Sequence, residues 1–241
     1  MFALMKMAPQ LPTRKLGKNG PEVTALGFGL MGLSAYYGAP KPDEERFAVL
    51  DHVYNSGELF WDSADIYQDS EDLVGRWFKA NPGKREKIFL ATKFGIYVDP
   101  QTGQRHVKNE PEYIRAAVEK SLKRLGIDHI DLYYAHRLNS EQPVEITVKA
   151  MKELQDAGKI KYLGLSECSA ESLRRACKVR DWRSVQKSGI NALTRLRTSM
   201  LSKLNTAPFR WTSKTPKSTS SEHVVNLASQ QLLIRRWGEA S

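Results

Sequence analysis

The chain has 241 residues, 41% hydrophobic and 27% charged, which is enough apolar content for one compact domain and too much for a disordered chain. No run approaches the roughly 18 apolar residues of a membrane helix, which excludes a membrane-spanning protein, and two cysteines are too few for a disulfide scaffold or a cysteine-built zinc site. The net charge of +10 is uneven, since residues 181–241 hold 10 of the 37 basic but only 3 of the 27 acidic side chains. The first residues are too short for a signal-peptide core, so the predicted location is the cytoplasm.

Short apolar runs alternate with amphipathic stretches from about residue 24 to 180, at the spacing of repeated βαβ units. Parallel strands joined by helices form a sheet that the helices cover, so the pattern predicts an α/β fold with a parallel sheet. The predicted strands lie at residues 23–28, 59–61, 88–92, 130–134 and 162–165.

Between these runs, apolar residues recur at spacings of three and four, which predicts helices. Proline at a helix start and glycine just past a helix end support several of their limits. The predicted helices run over 42–54, from Ser70 onward, from Pro111 to before Gly126, from Val144 to before Gly158, and over 169–178.

The alternation of strand and helix stops at about residue 181. Residues 181–241 contain 16 Ser and Thr, no repeat, and one stretch, 224–237, with the pattern of a helix. We interpret residues 8–180 as the folded domain and 181–241 as an irregular basic tail.

Polar side chains follow three successive predicted strands. Asp62 follows the second strand, with Tyr67 five residues further on; Lys93 follows the third and His136 the fourth. The carboxyl ends of parallel strands share one rim, so we expect these four groups to converge. Each alone is more often structural, but four at successive strand ends predict a functional site.

This set of groups suits one task, the donation of a proton to a carbonyl oxygen as it becomes an alkoxide. A tyrosine hydroxyl titrates at about pH 10, and a neighbouring ammonium at Lys93 is expected to lower the pKa of Tyr67 by stabilising the phenolate. Asp62 would hold Lys93 in place. The His136 imidazole would orient the substrate oxygen or relay the proton.

Residues from about 11 to 179 resemble an aldo-keto reductase. The pairs His136-Arg137 and Ser166-Glu167 are similar to a fungal and plant branch of NADPH-dependent reductases that includes enzymes like pyridoxal reductase. Six motifs in the expected order carry the resemblance, at residues 14–17, 26–32, 62–67, 91–95, 131–137 and 158–167.

The resemblance implies a (β/α)8 TIM-type barrel and an NADP-dependent oxidoreductase that transfers a hydride to an aldehyde or ketone. It implies that Tyr67 is the proton donor and that Lys93 modulates its pKa. Asp62 would be the partner of Lys93, and His136 would orient the small-molecule carbonyl substrate.

The resemblance also implies an NADP(H) site. Gly29, Leu30 and Met31 would border the nicotinamide half of the cofactor, close to Asp62. Ser166 would hydrogen-bond the nicotinamide carboxamide, with Glu167 beside it. At the substrate mouth the resemblance places Tyr36 and Arg137; no metal is implied.

The match to the family pattern breaks near residue 180. A full member has about eight βα units, whereas this chain supplies five and the edge of a sixth at Val185 and Gln186. The later strands, the pyrophosphate loop and the 2′-phosphate motif have no counterpart. We therefore expect an incomplete barrel of five to six βα units that is marginally stable and binds the cofactor weakly. Our hypothesis for the origin of the tail is a frameshift, a retained intron or a mis-assembled gene.

Two further hypotheses stand beside carbonyl reduction. The chain could be a catalytically impaired pseudoenzyme or binding module, and NADPH binding separates that hypothesis from the enzyme. Nucleic-acid binding through the basic tail is disfavoured because the tail lacks a recognition-helix pattern and interleaved aromatic residues. The five histidines show no metal-ligand spacing. The family resemblance favours a monomer or a weak associate.

Overall fold

The computed structural model describes residues 11–17 and 20–179. The predicted tail at 181–241, the sixth-strand residues Val185 and Gln186, and the helical stretch at 224–237 lie outside the described residues.

A small antiparallel hairpin opens the described chain, made of β1 (Thr13–Lys15) and β2 (Glu22–Thr24). Strands and helices then alternate. The elements that follow are β3 (Phe28–Gly29), α1 (Met31–Ser34), α2 (Asp43–Asn55), β4 (Phe60–Asp62), α3 (Ser70–Ala80), a 3-10 turn (Arg85–Lys87), β5 (Phe89–Phe94), β6 (Ile96–Val98), β7 (Arg105–Val107), α4 (Pro111–Leu125), β8 (Ile130–Ala135), α5 (Val144–Asp156), β9 (Ile160–Leu165) and α6 (Ala170–Ala176).

Five parallel strands form the central sheet, in the order β3, β4, β5, β8, β9. This order follows the chain without reversal. A doubly wound sheet reverses its strand order at a switch point, whereas a (β/α)8 barrel adds each strand beside the last. The predicted fold class, an incomplete (β/α)8-type α/β fold, is confirmed for the described residues.

The main hydrophobic core lies between one face of this sheet and helices α2 to α6. Trp61 and Trp77 are fully buried there, with ring centroids 5.0 Å apart. Phe94 stacks on Tyr133 at 4.9 Å in the same core. Burial of large aromatic rings is the main apolar contribution to the stability of such a layer.

The opposite face of the sheet carries a smaller apolar cluster around Ala91, Leu132 and Tyr134. The Tyr134 ring lies directly against β9, because a Cβ at Gly164 would come within 2.2 Å of its Cδ1 atom. Leu16, from the turn between β1 and β2, packs against this cluster. Among the described residues, the helices contribute only to the core on the other face, as a barrel-type layer requires.

The helix limits follow the predicted start and stop residues. Pro111 occupies the first turn of α4, and Gly126 ends that helix in the left-handed region at φ +64°. Helices α3 and α4 approach very closely, because a Cβ at Gly75 would lie 2.3 Å from the carbonyl oxygen of Arg124. Glycine at position 75 therefore permits this contact.

Two features of the sheet differ from the sequence prediction. The predicted strand at 23–28 is wrong as a single element, because its first part pairs antiparallel with β1 as β2 and only Phe28–Gly29 joins the parallel sheet. The hairpin pairing extends to Ala25, whose N–H donates to Pro12 O at 2.8 Å. The hairpin of β6 and β7 was not predicted.

No helix in the described part of the chain has both the length and the apolar run needed to cross a bilayer.

Candidate active site

The carboxyl ends of the central strands place Asp62, Lys93 and His136 side by side. Asp62 is the last residue of β4, and it is opposite Ala91 of β5 in the parallel register. Lys93 of β5 is opposite Tyr134 of β8, and His136 follows β8 immediately. The His136 N–H donates to Phe94 O at 2.8 Å, which continues the strand pairing past the end of the sheet.

Lys93 lies at the centre of this rim. Its Nζ atom donates to Asp62 Oδ2 at 2.6 Å and to Ser63 O at 2.7 Å. The Lys93 side chain is only 10% exposed, whereas that of Asp62 is 38% exposed. A short charge-assisted pair of this kind fixes the ammonium in one position.

Tyr67 lies on the loop between β4 and α3, and its half-buried ring contacts the other groups of the site. The Lys93 Nζ atom is 5.2 Å from the centre of the ring. His136 packs edge-on against it, with ring centroids 5.8 Å apart and an interplanar angle of 86°. The structure thus brings together the four residues that the sequence predicts as catalytic, Tyr67, Lys93, Asp62 and His136.

The pKa of Tyr67 differs from the sequence expectation in its net direction. Burial raises the pKa of the phenol above its ordinary value, Lys93 lowers it, and Asp62 raises it again, so the sum is upward. The lysine acts in the expected sense, but loss of water around the hydroxyl has the larger effect. The phenol therefore carries its proton at neutral pH, which is the form that can donate one.

His136 is a neutral imidazole in this environment. Burial lowers its pKa to about 4, and the neighbouring charges of Lys93 and Arg137 act in the same direction. Its Nδ1 atom is buried and has no hydrogen-bond partner among the residues that the structure describes. A buried polar atom without a partner is uncommon and suits a group that awaits a ligand.

The predicted cofactor residues of β3 fall into two environments. Gly29 is opposite Asp62 in the register, and a Cβ built there would meet no atom within 4 Å, so open space adjoins the carboxylate. The Leu30 side chain is instead fully buried in the helix-side core, and its N–H donates to Asp62 O at 2.9 Å. Met31 begins α1 and is partly exposed.

The other predicted binding residues lie beyond β8 and β9. The Ser166 N–H donates to Ala135 O at 2.9 Å, which places Ser166 next to the end of β8. Glu167 has a left-handed backbone at φ +48°, and its carboxylate pairs with Arg137 at 3.1 Å. These residues adjoin His136, because Arg137 follows it directly.

Tyr36, which the resemblance assigns to the substrate mouth, lies at the surface beside Tyr67. It is 56% exposed and packs edge-on against Tyr67, with centroids 6.5 Å apart. Arg105 of β7 donates to the Tyr36 hydroxyl at 3.4 Å, so the β6–β7 hairpin borders the mouth as well. Arg105 carries no signal in the sequence, because strands of only three residues show no recognisable periodicity.

A buried polar cluster behind the Tyr67 loop was also missed. Glu71 is fully buried, accepts a hydrogen bond from Thr92 Oγ1 at 2.8 Å, and pairs with Arg124 at 3.1 Å. Burial, and secondly the charge of Glu71, raise the pKa of Asp65 to about 7. The members come from four separate elements, so no local motif could reveal the cluster. In the described ranges, no group of three or more His, Cys, Asp or Glu side chains is arranged to hold a metal ion.

Comparison with known proteins agrees with this geometry. The family model described as "Aldo/keto reductase family" matches residues 25–206. The chain is 52% identical over 178 residues to "Aldo-keto reductase yakc [NADP(+)]" of Schizosaccharomyces pombe, covering 73% of this chain and 51% of that protein. It is also 52% identical over 171 residues to "Aldo-keto reductase str7" of Strobilurus tenacellus, covering 69% of this chain and 48% of that protein. The chain thus spans about half the length of these curated relatives.

Proposed function

The chain belongs to the aldo/keto reductase family, and from that membership we propose that it reduces an aldehyde or ketone to an alcohol with NADPH as cofactor. The observation that carries the proposal is the position of Lys93, whose Nζ atom lies 2.6 Å from Asp62 and 5.2 Å from the centre of the Tyr67 ring. A neutral His136 borders the same ring.

The residues at the rim fit a nicotinamide dinucleotide. The open space at Gly29 gives a flat group room beside Asp62, and Ser166 with Glu167 borders the rim next to His136. One relative is named as an NADP(+) enzyme. When bound, NADPH supplies a hydride to the carbonyl carbon.

Tyr67 supplies the proton that the carbonyl oxygen needs. The oxygen gains negative charge as the carbon is reduced, and the neutral phenol transfers its proton to that oxygen to give the alcohol. The ammonium of Lys93 stabilises the phenolate that remains, because opposite charges attract strongly where water is excluded. Asp62 keeps the ammonium in place for this role.

His136 orients the substrate oxygen. A neutral imidazole has one N–H donor, and this ring lies 5.8 Å from the Tyr67 ring, measured between centroids. Because the pKa of His136 is about 4, this donor stays neutral throughout the physiological range. Two donors, the phenol and the imidazole, then converge on one acceptor oxygen.

The proposal has four further parts. Tyr36 and Arg137 contact the small-molecule carbonyl substrate at the mouth, a role that the exposure of Tyr36 supports. The protein is a monomer. Its location is the cytoplasm, in keeping with a chain that has only two cysteines. We assign residues 8–180 to the reductase domain and residues 181–241 to a basic tail rich in Ser and Thr.

Cofactor binding and turnover test the proposal in one preparation. We expect NADPH to quench the tryptophan fluorescence of the purified 241-residue chain in a saturable way, and a panel of aldehydes and ketones to show NADPH oxidation. Tyr67→Phe should lower kcat by about 10²–10⁴-fold, because it removes the donated proton. Tyr54→Phe is the matched control, since Tyr54 lies on α2 and packs against Trp77.

The outcomes separate the two hypotheses that the sequence leaves open. Saturable binding with turnover that depends on Tyr67 supports the reductase. Saturable binding without turnover of any carbonyl supports a binding module or pseudoenzyme. Turnover that survives Tyr67→Phe would contradict the assigned proton donor.

A further inference from the structure

We propose that Arg124 is a positioning residue that holds the Tyr67 loop from behind. The inference rests on the proposed function, in which Tyr67 donates the proton. Arg124 lies near the end of α4, far along the chain from the loop, and it touches neither the phenol nor the rim groups around Lys93 in the described contacts. Its action on the reaction would pass through the backbone.

The guanidinium of Arg124 binds the loop on both sides of the tyrosine. Its Nη1 atom donates to Asp65 O at 3.1 Å, and its Nη2 atom donates to Gln68 O. These two carbonyls belong to the residues that flank Ile66 and Tyr67. A single rigid group thus spans the segment that carries the proton donor.

The guanidinium is itself held firmly. Its Nε atom donates to Asp72 Oδ2 at 2.8 Å, and Nη1 pairs with Glu71 Oε2 at 3.1 Å. The Arg124 side chain is 14% exposed and Glu71 is fully buried. The close contact at Gly75 presses the backbone of α4 against α3 at the same level. Because the guanidinium is fixed, the loop that it binds is held in one position as well.

The loop needs this support because part of its backbone is unfavourable. Gln68 adopts a positive φ of +50°, a region that residues other than glycine rarely occupy and that costs free energy unless contacts hold it. Arg46 of α2 binds the next residue, Asp69, at 2.9 Å. Arg124 therefore holds residues 65–68, and Arg46 holds the start of α3.

Arginine suits this role better than lysine. Its planar fork carries five N–H donors in fixed directions, so it can bind two carbonyls and two carboxylates at once. A lysine at position 124 would keep a positive charge for the buried Glu71, but its single ammonium could not span Asp65 O and Gln68 O. Arg124→Lys therefore removes the clamp while keeping the charge.

Hydrogen exchange tests the clamp without any need for activity. We expect Arg124→Lys to speed amide exchange at Tyr67 and Ser70 by about tenfold, because the loop opens more often when its ties are removed. The amides of β8 should not change. Arg115→Lys is the matched control on the same helix, since the ion pairs of Arg115 within the described residues are with Glu112 and Glu153 at the surface. Equal protection of the loop in the two variants would overturn the inference.

A second variant covers the case in which Arg124→Lys does not fold. Asp72 is 41% exposed and contacts the guanidinium from the surface. Asp72→Asn should loosen the same loop in the same sense, by about two- to threefold, because the guanidinium keeps its other partners. No change in the exchange of Tyr67 in this variant would count against the clamp.

Kinetics then test the link to the reaction. We expect Arg124→Lys to lower kcat by about 10- to 100-fold, since displacement of a reacting group by about 1 Å is enough for such a loss. The Kd for NADPH should change by less than about twofold, because the ties lie outside the rim. In a Tyr67→Phe background the same substitution should lower kcat no further, because the two residues act in series.

The outcomes distinguish the clamp from the proposed function. The same fall in kcat on both backgrounds would show a general structural effect and would overturn the positioning role. If Tyr67→Phe alone leaves kcat unchanged, the proposed proton donor fails, while faster loop exchange in Arg124→Lys would still establish the clamp as a structural device.

Discussion

The two faces of β4 and β5 differ in chemistry, although the same strands supply both: one face is packed in a core and the other carries charged side chains. Trp61 and Thr92 point toward the helices, into a buried layer that is mostly apolar. Their chain neighbours Asp62 and Lys93 point to the other face and form a charged pair at the rim. Because side chains alternate along a strand, two neighbouring residues lie on opposite faces, one in the packed core and the other in the candidate active site.

This contrast teaches that stability and reactivity are separable here. Trp61 fills volume between the sheet and α3, where its ring contacts are with Trp77 and Phe78 of that helix. Lys93 fills little of the core, and its partner Asp62 remains partly in water. Substitutions on the two faces should therefore fail in different assays, those at the rim in turnover and those in the core in unfolding.

The largest expected effect is on the rim face. Lys93→Met should lower kcat by about 10²–10³-fold, because the phenolate of Tyr67 then has no ammonium to stabilise it. The alkaline limb of the pH profile should also move to higher pH, since Lys93 lowers the pKa of Tyr67. Steady-state kinetics from about pH 6 to 10 measure both.

The control for this prediction is Lys87→Met, in the exposed 3-10 turn before β5. Urea unfolding of Lys93→Met should stay close to that of the parent chain, because Asp62 can recover water when its partner is lost. A collapse of stability in Lys93→Met would show that the rim pair also holds the fold, and the separation of the two faces would be lost.

The core face gives the reverse result. Trp61→Ala should lower the free energy of unfolding by about 3–5 kcal/mol, because it leaves a large cavity beside Trp77 and Phe78. Equilibrium unfolding in urea measures the loss. Phe60→Ala, one residue earlier and half-buried on the other face, should cost clearly less. Equal losses at positions 60 and 61 would contradict the contrast between the faces.

A smaller effect concerns the polar cluster between the two regions. Burial and Glu71 raise the pKa of Asp65 from 3.8 to about 7, so the folded state binds this proton more tightly than the unfolded state. The contribution of Asp65 to stability is therefore greatest below about pH 4 and falls as pH rises toward 7.

Asp65→Asn should remove this pH dependence, because the amide does not titrate. The free energy of unfolding of the variant, measured relative to that of the parent, should rise by about 1–3 kcal/mol from about pH 5 to about pH 8. Urea unfolding of both proteins at the two pH values measures this change. Parallel stability curves for the two proteins would mean that Asp65 titrates normally in the folded chain.

The smallest effect lies at the end of the described chain. The Ser169 Oγ atom accepts a hydrogen bond from the Ser172 N–H at 3.0 Å and caps α6. Ser169→Ala should cost about 1 kcal/mol, with no change in kcat, because α6 packs on the helix side. Ser169→Asp keeps the acceptor and should restore the stability, whereas a loss in both variants would point to a role other than capping.

The sequence contains most of the fold because its signals are local. Pro111 and Gly126 mark the limits of α4 through backbone preferences that act within one turn. The parallel strands are apolar runs in the sequence, and they can be identified without knowing which strands pair with them. The order of the strands then places Asp62 and Lys93 on one rim, since parallel strands share a carboxyl edge.

The rest of the structure depends on contacts between distant parts of the chain. The strands of the β1–β2 and β6–β7 hairpins have only three residues each, which is too short for alternation to identify the pairing. The net direction of the pKa of Tyr67 depends on burial, which a motif does not show. Arg124 reads as an ordinary charged residue near a helix end, and only folding brings it to the loop.

The contact between Gly75 and Arg124 sets a limit on how this sequence can vary. Any side chain at position 75 would push the two helices apart, and the backbone that carries the guanidinium would move with α4. A saturation library at this position should therefore yield almost no folded clones, whereas Gly83, in an open turn, should accept asparagine or aspartate. The distance between two outer helices, and not only the residues of the rim, is thus part of what selection on this fold would have to preserve.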